Sequence, residues 1–280
     1  MPTVSTTALT TPTGPVEIPT IGFGVWQVPD DEVTAAVLAA LDAGYRHVDT
    51  AAVYGNEAGV GRALAETDVD RDDVFVTTKV WNSDQGRDAT LAAFDASMER
   101  LGLDVLDLYL IHWPTPRHDR YVDTWRALQE LRSSGRVRAI GVCNFHAEHL
   151  QRLHDETGEW PSINQIELHP YLQQGPLRAF GAQRGIVTES WSPLASGKRV
   201  LDDPVIGRIA GERGATPAQV VIAWHLAHDL VVLPKSVTPS RIVENLAATE
   251  LRLTGADLEA IEALDNGFRT GPNPEEFHGG

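Results

Sequence analysis

Four side chains of the sequence could together deliver a proton to a carbonyl oxygen: Asp49, Tyr54, Lys79 and His112. A free phenol has a pKa of about 10, so Tyr54 alone is too weak an acid to protonate a developing alkoxide efficiently at neutral pH. The ammonium of Lys79 would stabilise the phenolate and lower this pKa, and Asp49 would keep the ammonium charged and correctly aimed. His112 could then hydrogen-bond the carbonyl oxygen. We expect this set to work without a metal ion or a covalent nucleophile, but it needs a source of hydride.

A dinucleotide that supplies hydride needs a phosphate site, yet the common glycine-rich loops are absent. GFGVWQ (22–27) and GVGRAL (59–64) both break the G-x-G-x-x-G pattern, and no G-x-x-x-x-G-K-[ST] occurs. Instead, PKSVTPSRIVEN (234–245) predicts a strand that leads into a helix, with Thr238 as N-cap and Pro239 at the first helical position. The free N–H groups at the start of such a helix can bind phosphate.

Three side chains of this segment, Lys235, Ser236 and Arg241, add positive charge and hydrogen-bond donors. They suit a pyrophosphate and the 2′-phosphate of an adenosine ribose, which favours NADPH over NADH. The competing interpretation of the same residues is a capped helix with solvated cations.

The elements that would bring these residues together are eight β-branched runs, most of them spaced by about the length of one βα unit. The runs are TIGFG (20–24), RHVDT (46–50), VFVTTK (74–79), VLDLYLIH (105–112), RAIGVCN (138–144), SINQIE (162–167), IVTES (186–190) and LVVLPK (230–235). A length of 280 residues would also allow two smaller domains. Strands too apolar to face water, without any linker composition between them, favour a single (β/α)8 TIM barrel over residues 1–280. Chemistry in such barrels lies at the carboxyl ends of the strands.

Additional elements are predicted around this barrel. We expect a β-hairpin at the N-terminus, over about residues 5–19, and extra helices towards the C-terminus. The individual helix signals are a candidate N-cap at Asp30, a terminating Gly44, the capping box TPAQ (216–219), an extra helix over about 203–213 and a last helix that ends between Ile261 and Asp265.

The predicted strand ends and the adjoining loops gather more polar and aromatic side chains on the same rim. These are Asn144, Glu167 with His169, Trp191 and Lys235 at strand ends, and Trp26, Trp81 and Trp113 in loops. Taken singly, a strand-end charge is more often part of an ion pair and a tryptophan is more often part of a core. Their convergence on one rim favours an active site.

Eight motifs recur in order and at barrel spacing over nearly the whole chain: GFGVWQ, GYRHVDTAAVYGNE, TTKVW, DLYLIHWP, IGVCNF, NQIELHP, ESWSPL and LPKSVTPSRIVENL. This series resembles that of the aldo-keto reductases, a family of NADPH-dependent (β/α)8 barrels, and is most similar to that of bacterial 2,5-diketo-D-gluconate reductases. The resemblance implies that the protein reduces an aldehyde or a ketone to an alcohol. Hydride would come from C4 of the nicotinamide and the proton from Tyr54, with Lys79 and Asp49 tuning the phenol and His112 orienting the carbonyl.

The resemblance also implies contacts to cofactor and substrate. The implied cofactor-binding residues are Cys143, Asn144 and Gln165 at the carboxamide, Trp191 on the nicotinamide ring, Ser192 and Leu194 along the pyrophosphate, and Lys235, Ser236, Val237, Arg241, Glu244 and Asn245 around the adenosine. The implied substrate pocket consists of Trp26, Trp81, Asn82 and Trp113. The substrate would be 2,5-diketo-D-gluconate or another small carbonyl compound, and the protein would be a monomer, as its relatives commonly are.

Two residues depart from the family pattern, and the tail is short beside those of animal members. Cys143 stands where the family usually has serine, and a thiol is a weaker hydrogen-bond donor than a hydroxyl. Ala195 stands where glycine is frequent, which could change the loop over the pyrophosphate. The tail GFRTGPNPEEFHGG (267–280) is short, which suggests an open pocket and broad specificity.

Composition argues against several other classes of protein. With 39 acidic and 23 basic residues the formal net charge is −16, which should repel nucleic acid and anionic membrane surfaces. The chain has no apolar run of about 18 residues and no signal-like start, so we expect a cytoplasmic protein. A single cysteine excludes an internal disulfide. The pairs His146/His149 and His225/His228 lack a carboxylate or cysteine at ligand spacing, and we interpret them as ordinary helix residues rather than metal ligands.

The sequence is also compatible with two other functions. Lys79 could be the Schiff-base nucleophile of a barrel aldolase, although Asp49 beside it would keep the lysine charged. Alternatively, the barrel could bind NADPH as a regulatory subunit without turnover, although all four members of the catalytic set are present.

Overall fold

The structure, a computed structural model, describes residues 4–197 and 199–279. It begins with the expected antiparallel hairpin, formed by β1 (Thr6–Leu9) and β2 (Val16–Pro19). The apolar side chains of this hairpin pack against residues that point into the barrel, among them Phe75, Leu108, Ala139, Ile163 and Val231. Since Phe75 begins its strand, the hairpin covers the amino-terminal end of the barrel.

Eight parallel strands follow and form one sheet in sequence order. They are β3 (Phe23–Gly24), β4 (His47–Asp49), β5 (Phe75–Val80), β6 (Leu106–Ile111), β7 (Val137–Cys143), β8 (Ile163–Glu167), β9 (Val187–Trp191) and β10 (Val231–Val232). Ile21 pairs in parallel with Val232, and the N–H of Gly22 donates to the Val232 carbonyl at 2.9 Å. The first and last strands therefore meet, and the sheet closes into the (β/α)8 barrel expected from the sequence.

The described residues form ten α-helices. They are α1 (Asp30–Ala43), α2 (Glu57–Glu66), α3 (Arg87–Leu101), α4 (Tyr121–Ser133), α5 (Ala147–Thr157), α6 (Gly175–Ala182), α7 (Pro204–Arg213), α8 (Pro217–Ala227), α9 (Pro239–Ala247) and α10 (Gly255–Glu262). The main core lies between the outer face of the sheet and these helices. None of the described helices is both long and apolar enough to span a membrane.

Most of the helix signals act as expected. Thr216 and Gln219 form a reciprocal capping box at the start of α8, and Gly44 ends α1 in the left-handed conformation with φ 115°. The assignment of Asp30 as an N-cap is wrong, because Pro29 occupies that position and α1 begins at Asp30. The Asp30 carboxylate instead accepts a hydrogen bond of 2.7 Å from the backbone N–H of Gly59, which ties α1 to α2.

Candidate active site

Tyr54 lies in a short 3-10 turn, Ala52–Tyr54, that follows the end of β4. The loop is anchored by Asn56, which is buried and donates from Nδ2 to the carbonyls of Val25 and Val28, both at 2.9 Å. The backbone that carries Tyr54 is therefore fixed to the loop after β3. Within the motif GYRHVDTAAVYGNE, Asn56 thus has a structural role.

Lys79 points into the barrel from β5 and is completely buried. Its Nζ donates to both carboxylate oxygens of Asp49, at 2.7 and 2.8 Å, and to the carbonyl of Thr50 at 2.9 Å. The same Nζ lies 3.5 Å from the hydroxyl of Tyr54. The structure thus brings together Asp49, Tyr54 and Lys79, three of the four residues proposed from the sequence, although Lys79 comes from a different βα unit.

The ionisation of this cluster differs in one respect from the expectation. Burial disfavours the ammonium of Lys79, but the charge and hydrogen bonds of Asp49, together with Tyr54 and Cys143, keep the lysine pKa above its usual value. Burial also raises the pKa of the Tyr54 phenol; Lys79 acts in the lowering direction, but the net shift is upward. Lys79 thus lowers the phenol pKa as expected, but burial raises this pKa by more. Tyr54 is protonated at neutral pH and can act as a donor.

His112 follows β6 directly and faces Tyr54 and Trp81 edge-on, with ring centroids 5.8 and 5.0 Å apart. Burial and the nearby ammonium of Lys79 hold the pKa of His112 well below its usual value. The imidazole is therefore neutral at neutral pH, with one N–H to donate.

The residues implied at the nicotinamide carboxamide lie together at the ends of β7, β8 and β9. Asn144 has a left-handed backbone, with φ 65°, and its Oδ1 accepts a hydrogen bond of 2.8 Å from Nε1 of Trp191. Gln165 donates from Nε2 to Asp49 at 2.9 Å, and its Oε1 lies 3.6 Å from Sγ of Cys143. Burial raises the pKa of the Cys143 thiol well above its usual value, so this side chain is a neutral, weak donor.

The loop after β9 contains non-glycine residues in the left-handed backbone conformation. Ser192 and Ala195 have φ angles of 49° and 48°, in the left-handed region, and Leu194 between them is partly buried. Ala195 thus occupies a conformation that glycine adopts at the least cost.

The helix start implied at the adenosine phosphates is formed as expected, except for the role of Thr238. This residue is the N-cap of α9 by position, but its side chain makes no capping hydrogen bond, and Ser236 Oγ accepts from its N–H at 3.1 Å instead. Lys235 and Arg241 are exposed, and neither forms an ion pair with a residue that the structure describes. Positive charge is therefore available beside this helix start.

The other three residues implied around the adenosine differ in their environments. Val237 is 45% exposed and Asn245 is buried. Glu244 accepts a hydrogen bond of 2.8 Å from the hydroxyl of Thr216, so it also links α9 to α8.

The tail of the chain crosses the aromatic rim and contradicts the expectation of an open pocket. The ring of Phe277 packs against Trp113, with centroids 4.5 Å apart, and lies 6.3 Å from Trp81. Asn82, which is buried, donates from Nδ2 to the carbonyl of Gly279. Trp26 stays 49% exposed at the same rim.

Glu167 fastens this tail at the end of β8. Its carboxylate accepts hydrogen bonds from the N–H and the hydroxyl of Thr270, at 2.5 and 2.6 Å, and from the N–H of Gly271 at 3.1 Å. His169 lies 3.2 Å from the same carboxylate. The sequence predicts that Glu167 lies at a strand end. No local pattern in the sequence predicts that Thr270 and Gly271 of the tail bind its carboxylate.

A second carboxylate of the tail meets the first histidine pair. Glu275 Oε1 lies 2.9 Å from Nδ1 of His146 and 3.3 Å from Nε2 of His149. Sequence spacing does not reveal this partner. The expectation that the pair lacks a carboxylate is wrong, because the fold brings Glu275 next to both histidines. The contact links the tail to the start of α5.

The fold and the cluster at its mouth are those of a barrel oxidoreductase. Residues 20–266 match the aldo/keto reductase family, and the chain belongs to this family. Its activity is the NADPH-dependent reduction of carbonyl groups, which confirms the reaction class and the cofactor expected from the sequence.

Relatives match nearly the full chain. An aldo-keto reductase of Mycolicibacterium smegmatis is 55% identical over 261 residues, covering 93% of this chain and 94% of the relative. Methylglyoxal reductase DkgA of Escherichia coli is 53% identical over 263 residues, covering 94% and 95%. The crystal structure of Gox0644 in its apo form has a TM-score of 0.91 at 50% identity, covering 96% and 98%. A Gox0644 mutant in complex with NADPH has a TM-score of 0.92 at 48% identity, covering 98% and 99%.

Proposed function

We propose that Tyr54 protonates the carbonyl oxygen of the substrate, and that Lys79, Asp49 and His112 prepare this step. One chain of contacts supports the proposal most strongly: Asp49 holds Nζ of Lys79 at 2.7 and 2.8 Å, and Nζ lies 3.5 Å from the Tyr54 hydroxyl. The phenol is neutral and the ammonium is charged, so the ammonium stabilises the phenolate that forms as the proton leaves. His112 donates its N–H to the same carbonyl oxygen and orients it.

The chain's own residues fit NADPH, which when bound supplies hydride from C4 of its nicotinamide. Trp191 offers a partly exposed indole whose orientation is fixed by Asn144. Lys235 and Arg241 offer two cations beside the start of α9 that suit phosphate groups. Discrimination against NADH would come from Arg241, because a guanidinium binds a phosphate through paired hydrogen bonds.

We further propose that the substrate is a small dicarbonyl compound, such as methylglyoxal or 2,5-diketo-D-gluconate. Trp81 and Trp113 line the mouth and the Phe277 ring packs over them, which supports a small substrate over a large one. The relative from Escherichia coli, which is 53% identical, is named methylglyoxal reductase. A comparison of kcat/KM among methylglyoxal, 2,5-diketo-D-gluconate and an aromatic aldehyde tests this. A clear preference for the aromatic aldehyde would contradict the proposal.

The proton-transfer proposal is tested by Tyr54→Phe, which removes only the hydroxyl. We expect kcat for NADPH oxidation to fall by at least about 100-fold, in the range typical of a lost general acid, while NADPH affinity is retained. Tyr171→Phe is a control for the loss of a hydrogen-bonded phenol hydroxyl, because Tyr171 Oη donates to the carboxylate of Asp203 and to none of the four proposed catalytic residues. A Tyr54→Phe protein that keeps its turnover would refute the assignment.

The alternative role of Lys79 as a Schiff-base nucleophile finds no support in the site. A nucleophilic lysine must lose its proton, whereas Asp49 holds the pKa of Lys79 above its usual value. Borohydride treatment in the presence of a carbonyl substrate should therefore leave Lys79 unmodified.

We also propose that residues 1–280 form a single domain, and that the protein is a cytoplasmic monomer that binds no nucleic acid. The contacts of the hairpin at one end of the barrel and of the tail at the other support the single domain. The net charge of −16 supports the lack of nucleic-acid binding. Light scattering, a single unfolding transition and cell fractionation test these statements.

A further inference from the structure

A layer of buried polar side chains lies inside the barrel, one step deeper than the proposed catalytic residues. Because side chains of a strand alternate between its two faces, residues two positions before Asp49, Lys79 and Trp191 also point inward. They are His47, Thr77 and Glu189, and all three are completely buried. Gly22 gives this layer its space, since a Cβ there would lie 2.5 Å from Nδ1 of His47.

Gln165 joins Glu189 to the proposed catalytic cluster. Its Nε2 donates to Oδ2 of Asp49 at 2.9 Å and to Oε2 of Glu189 at 2.7 Å, so both amide hydrogens are used. The amide therefore has one orientation that satisfies both carboxyl groups. This orientation turns Oε1 away from them and towards Cys143.

The charges around Glu189 favour its neutral form. Lys79 is the cation that faces it from β5, and Lys79 is already bound to Asp49 on β4. His47 on β4 has Nε2 3.9 Å from Oε1 of Glu189, but burial lowers the pKa of His47 to about 3, so the imidazole is neutral. Cys143 on β7 is neutral as well.

Glu189 itself has one oxygen, Oε1, that makes no hydrogen bond with the described residues. Burial and the negative charge of Asp49 raise the pKa of Glu189 to about 8. At neutral pH the group is mainly a carboxylic acid, and it ionises near the upper end of the physiological range.

We propose that Glu189 is a positioning residue that acts through Gln165: in its neutral form it holds the Gln165 amide against Asp49, and its ionisation reduces the activity of the enzyme. The second negative charge would stabilise the ammonium of Lys79 and disfavour the phenolate of Tyr54. Proton donation from Tyr54 would therefore become slower as Glu189 loses its proton. The proposal rests on the role of Tyr54 as proton donor.

The test is the pH profile of kcat for the full-length enzyme with saturating NADPH and methylglyoxal, measured for wild type and Glu189→Gln. Glutamine keeps an oxygen that can accept from Gln165 but cannot ionise. We expect wild-type kcat to fall by up to about tenfold between about pH 7 and pH 9, and the fall to be absent in Glu189→Gln. Glu250→Gln, at an exposed glutamate, is the control and should follow wild type. Superimposable profiles for wild type and a folded Glu189→Gln protein would overturn the proposal.

An infrared measurement on the wild type covers the case in which Glu189→Gln does not fold. We expect the carbonyl stretch of a buried protonated carboxylic acid at neutral pH, and its loss as the pH rises through about 8. The lack of such a band at neutral pH would overturn the proposal. Failure of the proposed function has a different signature, because Tyr54→Phe would then retain turnover whatever the behaviour of Glu189.

Discussion

The indole Nε1 of Trp191 donates a hydrogen bond of 2.8 Å to Oδ1 of Asn144. The two residues belong to different strand ends, β9 and β7, so one bond sets the orientation of the aromatic ring proposed to stack on the nicotinamide. Asn144 also donates from Nδ2 to the carbonyl of His112 at 3.0 Å. A single amide side chain thereby connects the proposed cofactor surface to the strand end that carries His112, the histidine proposed to orient the substrate.

Trp191→Phe tests the value of this bond, since it retains an aromatic ring and removes the N–H. We expect the Kd for NADPH to rise about 2- to 12-fold, the range that corresponds to one neutral hydrogen bond. Fluorescence titration with NADPH measures it. Trp160→Phe is a suitable control, because Trp160 is also partly buried but stacks on His154 away from the barrel mouth. An unchanged Kd in Trp191→Phe would show that the bond does not prepare the cofactor surface.

Arg241→Ala tests the proposed preference for NADPH. Arg241 is exposed and forms no ion pair with the described residues, so its removal should cost little stability. We expect the Kd for NADPH to rise by about 10-fold or more and the Kd for NADH to change by less than about twofold, because only NADPH carries the 2′-phosphate. Arg252→Ala removes a comparable exposed charge in the segment between α9 and α10 and should leave both constants unchanged. Equal losses for both cofactors in Arg241→Ala would contradict the assignment.

Much of the fold and the central residues of the proposed active site can be predicted from local sequence patterns. β-Branched runs separated by helix-length segments fix the number and order of the strands, and parallel strands of a closed barrel present all their carboxyl ends at one rim. The sequence alone therefore predicts that Asp49, Lys79 and His112 lie close together. The net upward shift of the Tyr54 pKa could not be foreseen, because it depends on how the surrounding fold shields the phenol from water.

The residues that sequence analysis missed depend on long-range contacts. Glu275 reaches His146 across 129 positions, and no local spacing encodes such a pair. Glu189 lies within a short strand run, and only its position two residues before Trp191 could have indicated that it points into the barrel. Asp30 follows the rule for helix caps but bonds to α2 instead, so a tertiary contact overrides a local preference.

Phe277→Ala tests the role of the tail at the mouth. The Phe277 ring packs on Trp113 at 4.5 Å, and its removal should widen the space above the proposed substrate pocket. We expect kcat/KM for an aromatic aldehyde to rise at least about threefold relative to that for methylglyoxal, because the truncated side chain leaves room that an aromatic ring can fill. The Kd for NADPH should not change.

Phe268→Ala is the matched control for this prediction. Phe268 belongs to the same tail, but its ring lies against Arg199 rather than against the tryptophans of the rim. A similar change in substrate preference in both variants would mean that the tail acts by general loosening and not through the Phe277 ring.

The buried position of Glu189 also predicts how stability depends on pH. Its pKa is raised from an ordinary value of 4.5 to about 8 in the folded protein, so between these values the folded state holds a proton that the unfolded state has lost. The stability that this group contributes is fully present below about pH 4.5 and is lost as the pH rises through about 8. The slope from one such group is at most about 1.4 kcal/mol per pH unit. Urea unfolding of wild type and Glu189→Gln across this range measures it: the free energy of unfolding of the variant relative to wild type should increase steadily towards pH 8. A difference that does not vary with pH would mean that Glu189 is already ionised in the folded barrel.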